Sequence, residues 1–194
     1  VNAGEWTDDP NVPVALVDNL KGGELAVTHL IEQGHRSVGH VAGLLTHVPG
    51  RHRLEGYRAT LERFDINPDS GWVFCGDYSV EAGSKAGRAW LALADRPTAV
   101  FCASDYIAFG FMSTLHKAGV RVPQDVSVVG FDDIDVAGRY IPALTTIHQP
   151  RRAVGSQAAG HLLSLMNGEM PEERHSRLDP WLVVRDSTAP PRAG

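Results

Sequence analysis

Short apolar runs alternate with amphipathic helical patterns along most of this chain, and that alternation constrains the fold more than any other feature. Strands are expected at Val14 to Val17, Val38 to Ala42, Trp72 to Phe74, Thr98 to Cys102, Val126 to Gly130, Leu144 to Ile147 and Trp181 to Arg185. Helices are expected between them. Gly22 to Gln33 carries Ala26, Val27, Leu30 and Ile31 on one face, with Gly34 placed to end it in the left-handed conformation. Arg51 to Phe64 spaces Leu54, Tyr57, Leu61 and Phe64 by three and four residues. Val80 to Ala94, Asp105 to Ala118 and Arg152 to Asn167 follow, the last with Val154, Ala158, Leu162 and Leu165 inward. The unbroken hydrophobicity of Thr98 to Cys102 suits a parallel strand covered on both faces. Right-handed crossovers then place helices over both faces of an open, mostly parallel sheet. STAPPRAG, at the end, reads as a disordered tail.

Charge and cysteine content narrow the classes of function. Eighteen Lys and Arg stand against 23 Asp and Glu, for a formal net charge of −5 over 194 residues, so these residues lack the cationic surface that grips a phosphate backbone unaided. Cys75 and Cys102 both sit in apolar stretches and read as buried free thiols, which favours a reducing cytoplasm. No apolar run approaches the roughly 20 residues that cross a bilayer, and VNAGEWTDDP lacks the basic start and apolar core of a secretion signal. No membrane partner is expected. Position 1 is Val, and the chain opens as if at the end of a strand, so a piece of a longer polypeptide is predicted.

Ligands of such sheets bind beyond the carboxyl ends of the strands. The residues that follow the strands are Gly43 to Gly50 leading to Arg51 and Arg53, then Gly76-Asp77-Tyr78, Ser104-Asp105 and Phe131-Asp132-Asp133. A carboxylate accepts from neighbouring hydroxyls, an arginine fork donates to ring or hydroxyl oxygens, and an aromatic face covers the C–H side of a sugar or a base. Polyols and nucleosides both fit. Each residue also has a plainer role: Asp105 as an N-cap, Arg53 as a first-turn surface charge, Tyr78 as packing, Asp132-Asp133 as a turn cap. Enzymatic readings find little support, because no phosphate loop, G-x-G-x-x-G or G-x-S-x-G is present. His29, His35, His40, His47 and His52 form no metal motif and read as helix caps or solvent-facing groups, so neither a metal nor a cofactor is expected.

The segments VDNLKGGELAVTHLIEQGHRSVGHVAG (17–43), RHRLEGYRATLE (51–62), PTAVFCASDYIAFGFMSTLHKAGVRVPQDVSVVGFDDIDVAGRYIPALTTIHQP (97–150) and LVVRDST (182–188) resemble the effector-binding core of the lactose/galactose repressor family of bacterial transcription regulators. The resemblance runs from about Val12 to Thr188, and VPQDVSVVGFDD with PALTTIHQP points to regulators rather than to transport proteins of the same fold. It implies a type I periplasmic-binding-protein-like α/β fold of doubly wound, mostly parallel sheets, with one subdomain complete and the other partial. A partial N-terminal subdomain would take 1–17 and 148–179, the C-terminal effector-binding subdomain 18–147 and 180–188, and a tail 189–194. Three crossing strands would join the subdomains, with effector in the cleft between them.

Position by position, the resemblance makes Arg53 the effector-gripping arginine, Tyr78 a stacking aromatic, Ser104-Asp105 the counterpart of an Asn-Asp pair, and Asp132 the aspartate after the Gly-aromatic step. Gln149 falls near the hinge, Asn2 near a polar ligand residue of the first subdomain, and His47 in a loop that selects the effector. Ser104 for asparagine loses an amide contact, and Asn2 for an acid removes a charge, so the effector need not be a common hexose. The family implies a homodimer with Arg139 to Leu144 at the contact, and operator DNA held through an N-terminal helix-turn-helix that this sequence lacks. A solute-binding protein of a sugar transporter is the main alternative, and an enzyme of the doubly wound class is a third.

Overall fold

The computed structural model describes residues 1–3, 9, 11–67 and 70–192. Its larger sheet has six strands in the order β4 (Val73–Cys75), β3 (Val38–Ala42), β5 (Ala99–Cys102), β6 (Ser127–Asp132), β7 (Thr145–His148) and β9 (Trp181–Val183). All neighbours are parallel except β7 and β9. A smaller parallel sheet joins β1 (Asn2–Ala3), β2 (Val14–Val17) and β8 (His175–Leu178).

Strand periodicity builds two cores on the larger sheet. In β5, Val100 and Cys102 face α3 (Val80–Ala92) and α4 (Asp105–Lys117), whose Trp90, Ile107, Phe111 and Leu115 complete that layer. Ala99 and Phe101 face α1 (Asn19–Glu32) and α2 (Val48–Arg63), meeting Val27, Leu30, Tyr57 and Leu61. Full burial of one such large side chain contributes about 1.5–3 kcal/mol, so the sheet is covered on both faces, as its continuous apolar strands require. Glycines let the helices close. A Cβ on Gly110 of α4 would collide with the Val80 carbonyl oxygen, and one on Gly83 of α3 with the Ile107 carbonyl.

Among the described residues the chain passes between the sheets three times: from β2 into α1, from β7 into α5 (Arg151–Met166), and from β8 into β9. Two crossings are tied directly, since the Asp18 amide donates to the Leu178 carbonyl at 3.0 Å. Asp18 also caps α1, accepting from the Lys21 amide at 2.9 Å.

Several expectations are corrected. β8 was not expected, because His-Ser-Arg-Leu lacks β-branched residues; its register with Val14–Val17 of β2 recruits it. On α5, Leu162 is 50% exposed and His161 is buried in its place, against Gln157 and Ser176. Cys75 is exposed, whereas Cys102 is buried, which pushes its thiol pKa up. His29, His35 and His40 are buried and hydrogen-bonded rather than solvent-facing. Of the segment STAPPRAG, the described residues 187–189 dock onto the sheet. Ser187 Oγ donates to the Val128 carbonyl at 2.6 Å and accepts from the Thr145 amide at 2.8 Å, and His35 Nε2 donates to the Ala189 carbonyl at 2.9 Å. A loop-like composition hid this, because the segment supplies polar partners to strand ends instead of apolar bulk.

Two measurements test this packing. Gly110→Ala is expected to lower the urea midpoint, since overpacking costs about 1–3 kcal/mol, whereas Gly160→Ala, on an exposed face of α5 with open space around it, is expected to raise stability by about 0.5–1 kcal/mol. His40 is stacked between Tyr57 and Phe101, and burial lowers its pKa from 6.5 to about 3. The folded state therefore stays neutral there while the unfolded chain takes up a proton below pH ~6.5, so this contribution to stability falls as the pH drops. His40→Phe keeps the stack, and its stability relative to the parent chain is expected to rise by about 2 kcal/mol between pH 7.5 and pH 5 in urea titrations.

Candidate functional site

The carboxyl ends of β5 and β6, the start of α1 and the residue Tyr78 after β4 meet at one arginine. α2 begins at Val48, so Arg53 lies in its second turn rather than its first, and its side chain is turned inward at 5% exposure. Arg53 Nε donates to Asn19 Oδ1 at 2.8 Å and Nη1 to the Ala103 carbonyl at 2.6 Å. The guanidinium lies 3.6 Å from the centroid of the Phe131 ring and 5.9 Å from that of Tyr78. Asp132 Oδ1 is 3.9 Å from Nη1 and also accepts from Gln149 Nε2. Burial draws the Arg53 pKa down and the Asp132 carboxyl up, and each works against the other's shift. An arginine keeps its charge under such conditions, so the site holds a buried cation beside a partly buried carboxylate.

Asn19 is the residue that sequence reasoning missed. As the first residue of α1 it looks like a helix-start residue, yet its Nδ2 donates to the Val17 carbonyl at 3.0 Å while its Oδ1 receives Arg53. It links the crossing strand β2 to the arginine.

The other expected site residues are placed as follows. The Tyr78 ring packs where a Cβ on Gly43 would stand, its hydroxyl is buried without a partner among the described residues, and burial raises its pKa. Ser104, 2% exposed, is the N-cap of α4 and accepts from the Ile107 amide at 3.3 Å; the capping role expected of Asp105 belongs to Ser104. Asp105 is fully buried, accepting from Thr146 Oγ1 at 2.5 Å and the Ile134 amide at 2.9 Å, and burial raises its pKa to about 7. Both carboxyl oxygens of Asp105 thus brace β7 and the turn after β6. His47 is exposed at the N-cap position of α2, whose first turn it does not cap through its side chain. Asn2 pairs with Val14 through its backbone, and its side chain lies outside the described residues.

A cavity of about 260 Å³ lies between the strand ends and α5, lined by Val17, Asn19, Pro49, Arg53, Gln149 and Arg151 among others. Arg53 and Gln149 therefore share one concave wall, and Asp132 is in contact with both, whereas Ser104 and Asp105 are not among its lining residues. The guanidinium and amide of this wall, with the Asp132 carboxylate next to them, make a set of donors and an acceptor of the kind that pairs with hydroxyls. Among the described residues no cluster of His, Cys, Asp and Glu could hold a metal ion, and no helix is long and apolar enough to cross a membrane.

Comparison with known proteins agrees with this architecture. Residues 27–188 match the family described as periplasmic binding protein-like domain. The chain is 40% identical over 188 residues to the HTH-type transcriptional repressor CytR of Escherichia coli, covering 97% of this chain and 55% of that protein. It thus spans about half the length of the curated relatives it matches. A LacI family transcriptional regulator from Mycobacterium smegmatis superposes with a TM-score of 0.92 at 33% identity, over 99% of this chain and 71% of that one. The lac repressor dimer bound to operator and the anti-inducer ONPF superposes at 0.87 and 34% identity, over 95% and 64%. With this sequence likeness and this sheet order, the chain belongs to the LacI family, built on the periplasmic-binding-protein-like fold.

Proposed function

We propose that the chain is the effector-sensing core of a bacterial sequence-specific DNA-binding repressor that acts in the cytoplasm. The observation that carries this reading is the buried Arg53, aimed with Gln149 and Asp132 at the place where the chain crosses between two sheets. A small sugar-like or nucleoside-like molecule held there by Arg53, Asp132 and Gln149, with Tyr78, His47 and Asn2 nearby, would favour one orientation of the two sheets. Residues 18–147 and 180–188 would form the effector-binding subdomain, and 1–17 and 148–179 part of the other. The reading takes Ser104 and Asp105 as supports whose substitution acts through the wall they brace.

Control of DNA then requires only that the ligand bind one arrangement more tightly than another. A helix-turn-helix carried by the parent protein would be re-spaced against its half-sites. The relatives' names as repressors favour this over a transporter's solute-binding protein and over an enzyme. Within Arg139 to Leu144, the expected dimer contact, Leu144 is buried and Tyr140 stacks on Phe109 at 4.6 Å, while Arg139 and Ile141 are exposed; Ile141, at 92% exposure, is the apolar one that would reach a partner copy.

Titration calorimetry of the parent protein against pentoses, hexoses, polyols, nucleobases and nucleosides tests the site. Asp132→Asn is expected to weaken the ligand found by about 10- to 100-fold, since a hydrogen bond to a charged group contributes about 1.5–3 kcal/mol. Unchanged affinity would remove Asp132 from the site. In sedimentation, Ile141→Asp is expected to shift the parent protein toward monomer, and an unaltered dimer would place the contact elsewhere.

A further inference from the structure

Asp132 and the residue after it divide their partners between the cavity and the hinge. Both have positive φ, 119° at Asp132 and 53° at Asp133. Asp132 faces Gln149 and Arg53. Asp133 faces the crossing strands: His148 Nδ1 donates to its Oδ2 at 2.7 Å, and Arg185 Nη2 donates to its Oδ1 at 2.6 Å. Its carbonyl accepts from Arg151 Nη2, in the first turn of α5, at 3.1 Å. His148 in turn stacks on Trp181 of β9, with centroids 4.1 Å apart.

The result is two adjacent rungs, Asp132 to Gln149 and Asp133 to His148, joining the end of β6 to the segment that leaves β7 for α5. A force applied at Asp132 reaches that segment through both. We propose that Asp133 is a positioning residue that passes ligand capture at Asp132 to the crossing segments, and so to the orientation of α5 and the smaller sheet. This rests on the reading of Asp132 as a ligand contact.

A turn-forming role alone would not need the carboxylate. Asn adopts left-handed backbone as readily as Asp, so Asp133→Asn spares the turn and removes only the charge shared by Arg185 and His148. Burial works against ionisation of Asp133, yet His148 and Arg185 hold its pKa below the usual range. His148→Phe is a second variant, which keeps a ring against Trp181 and drops the hydrogen bond.

The test uses the full-length parent protein and the emission of Trp181, half exposed on the hinge, with Trp181→Phe identifying its share of the signal. Pentoses, hexoses and nucleosides are the probes. For a probe that binds, Asp133→Asn and His148→Phe are each expected to leave affinity within about threefold, while the allosteric coupling to operator DNA falls at least about fivefold and the Trp181 response is lost. Operator release and a Trp181 response that persist in both variants overturn the proposal and leave the site reading intact. If no probe changes the wild-type protein by calorimetry or emission, the site reading falls and the proposal with it.

Discussion

The structure turns on a guanidinium that is taken out of water and given fixed partners. Arg53 is flanked by the Phe131 ring, donates to Asn19 and to the Ala103 carbonyl, and lies against Asp132. These partners come from three elements: Asn19 from α1, Ala103 from the end of β5, and Phe131 and Asp132 from the end of β6. A buried cation without such partners would cost several kcal/mol, so its position is determined by the packing of the whole sheet. Under the proposed function the same burial would make it a strong recognition group, because a donor that is already desolvated and oriented loses little freedom when a ligand arrives.

Around that group the polar residues fall into two kinds. Gln149 lines the cavity with it, and Asp132 contacts both. Ser104, Asp105, Asn19 and Asp133 hold helices, turns and crossing strands in register. Asp105 illustrates the second kind: fully buried and raised in pKa, it is a brace between α4, β7 and the turn after β6. In a fold whose two sheets are linked by crossing segments, such braces influence how much of a local contact is felt at a distance.

Much of this was legible in the residues. Unbroken apolar strands and three- and four-residue helical spacing identified the doubly wound sheet, because burial on both faces leaves that periodic trace. The rim residues Arg53, Tyr78 and Asp132 followed from their place after strands. What stayed hidden depends on contacts distant in sequence. Asn19 looks like a helix-start residue until Arg53, 34 positions away, is seen to need an acceptor. The Thr188 partner of His29 and the Ala189 partner of His35 lie in the segment 187–192, whose composition resembles a tail. β8 exists because β2 offers an edge, not because its four residues favour extension.

The central claim is that Arg53, Asp132 and Gln149 receive the ligand together. A crystal structure of the parent protein grown with whichever sugar or nucleoside binds it tests that claim most directly. Ligand oxygens or ring nitrogens within hydrogen-bonding distance of the Arg53 guanidinium and the Asp132 carboxylate are the predicted result. A ligand seated instead in the larger cavity beside His148 and Trp181, with Arg53 untouched, would contradict it.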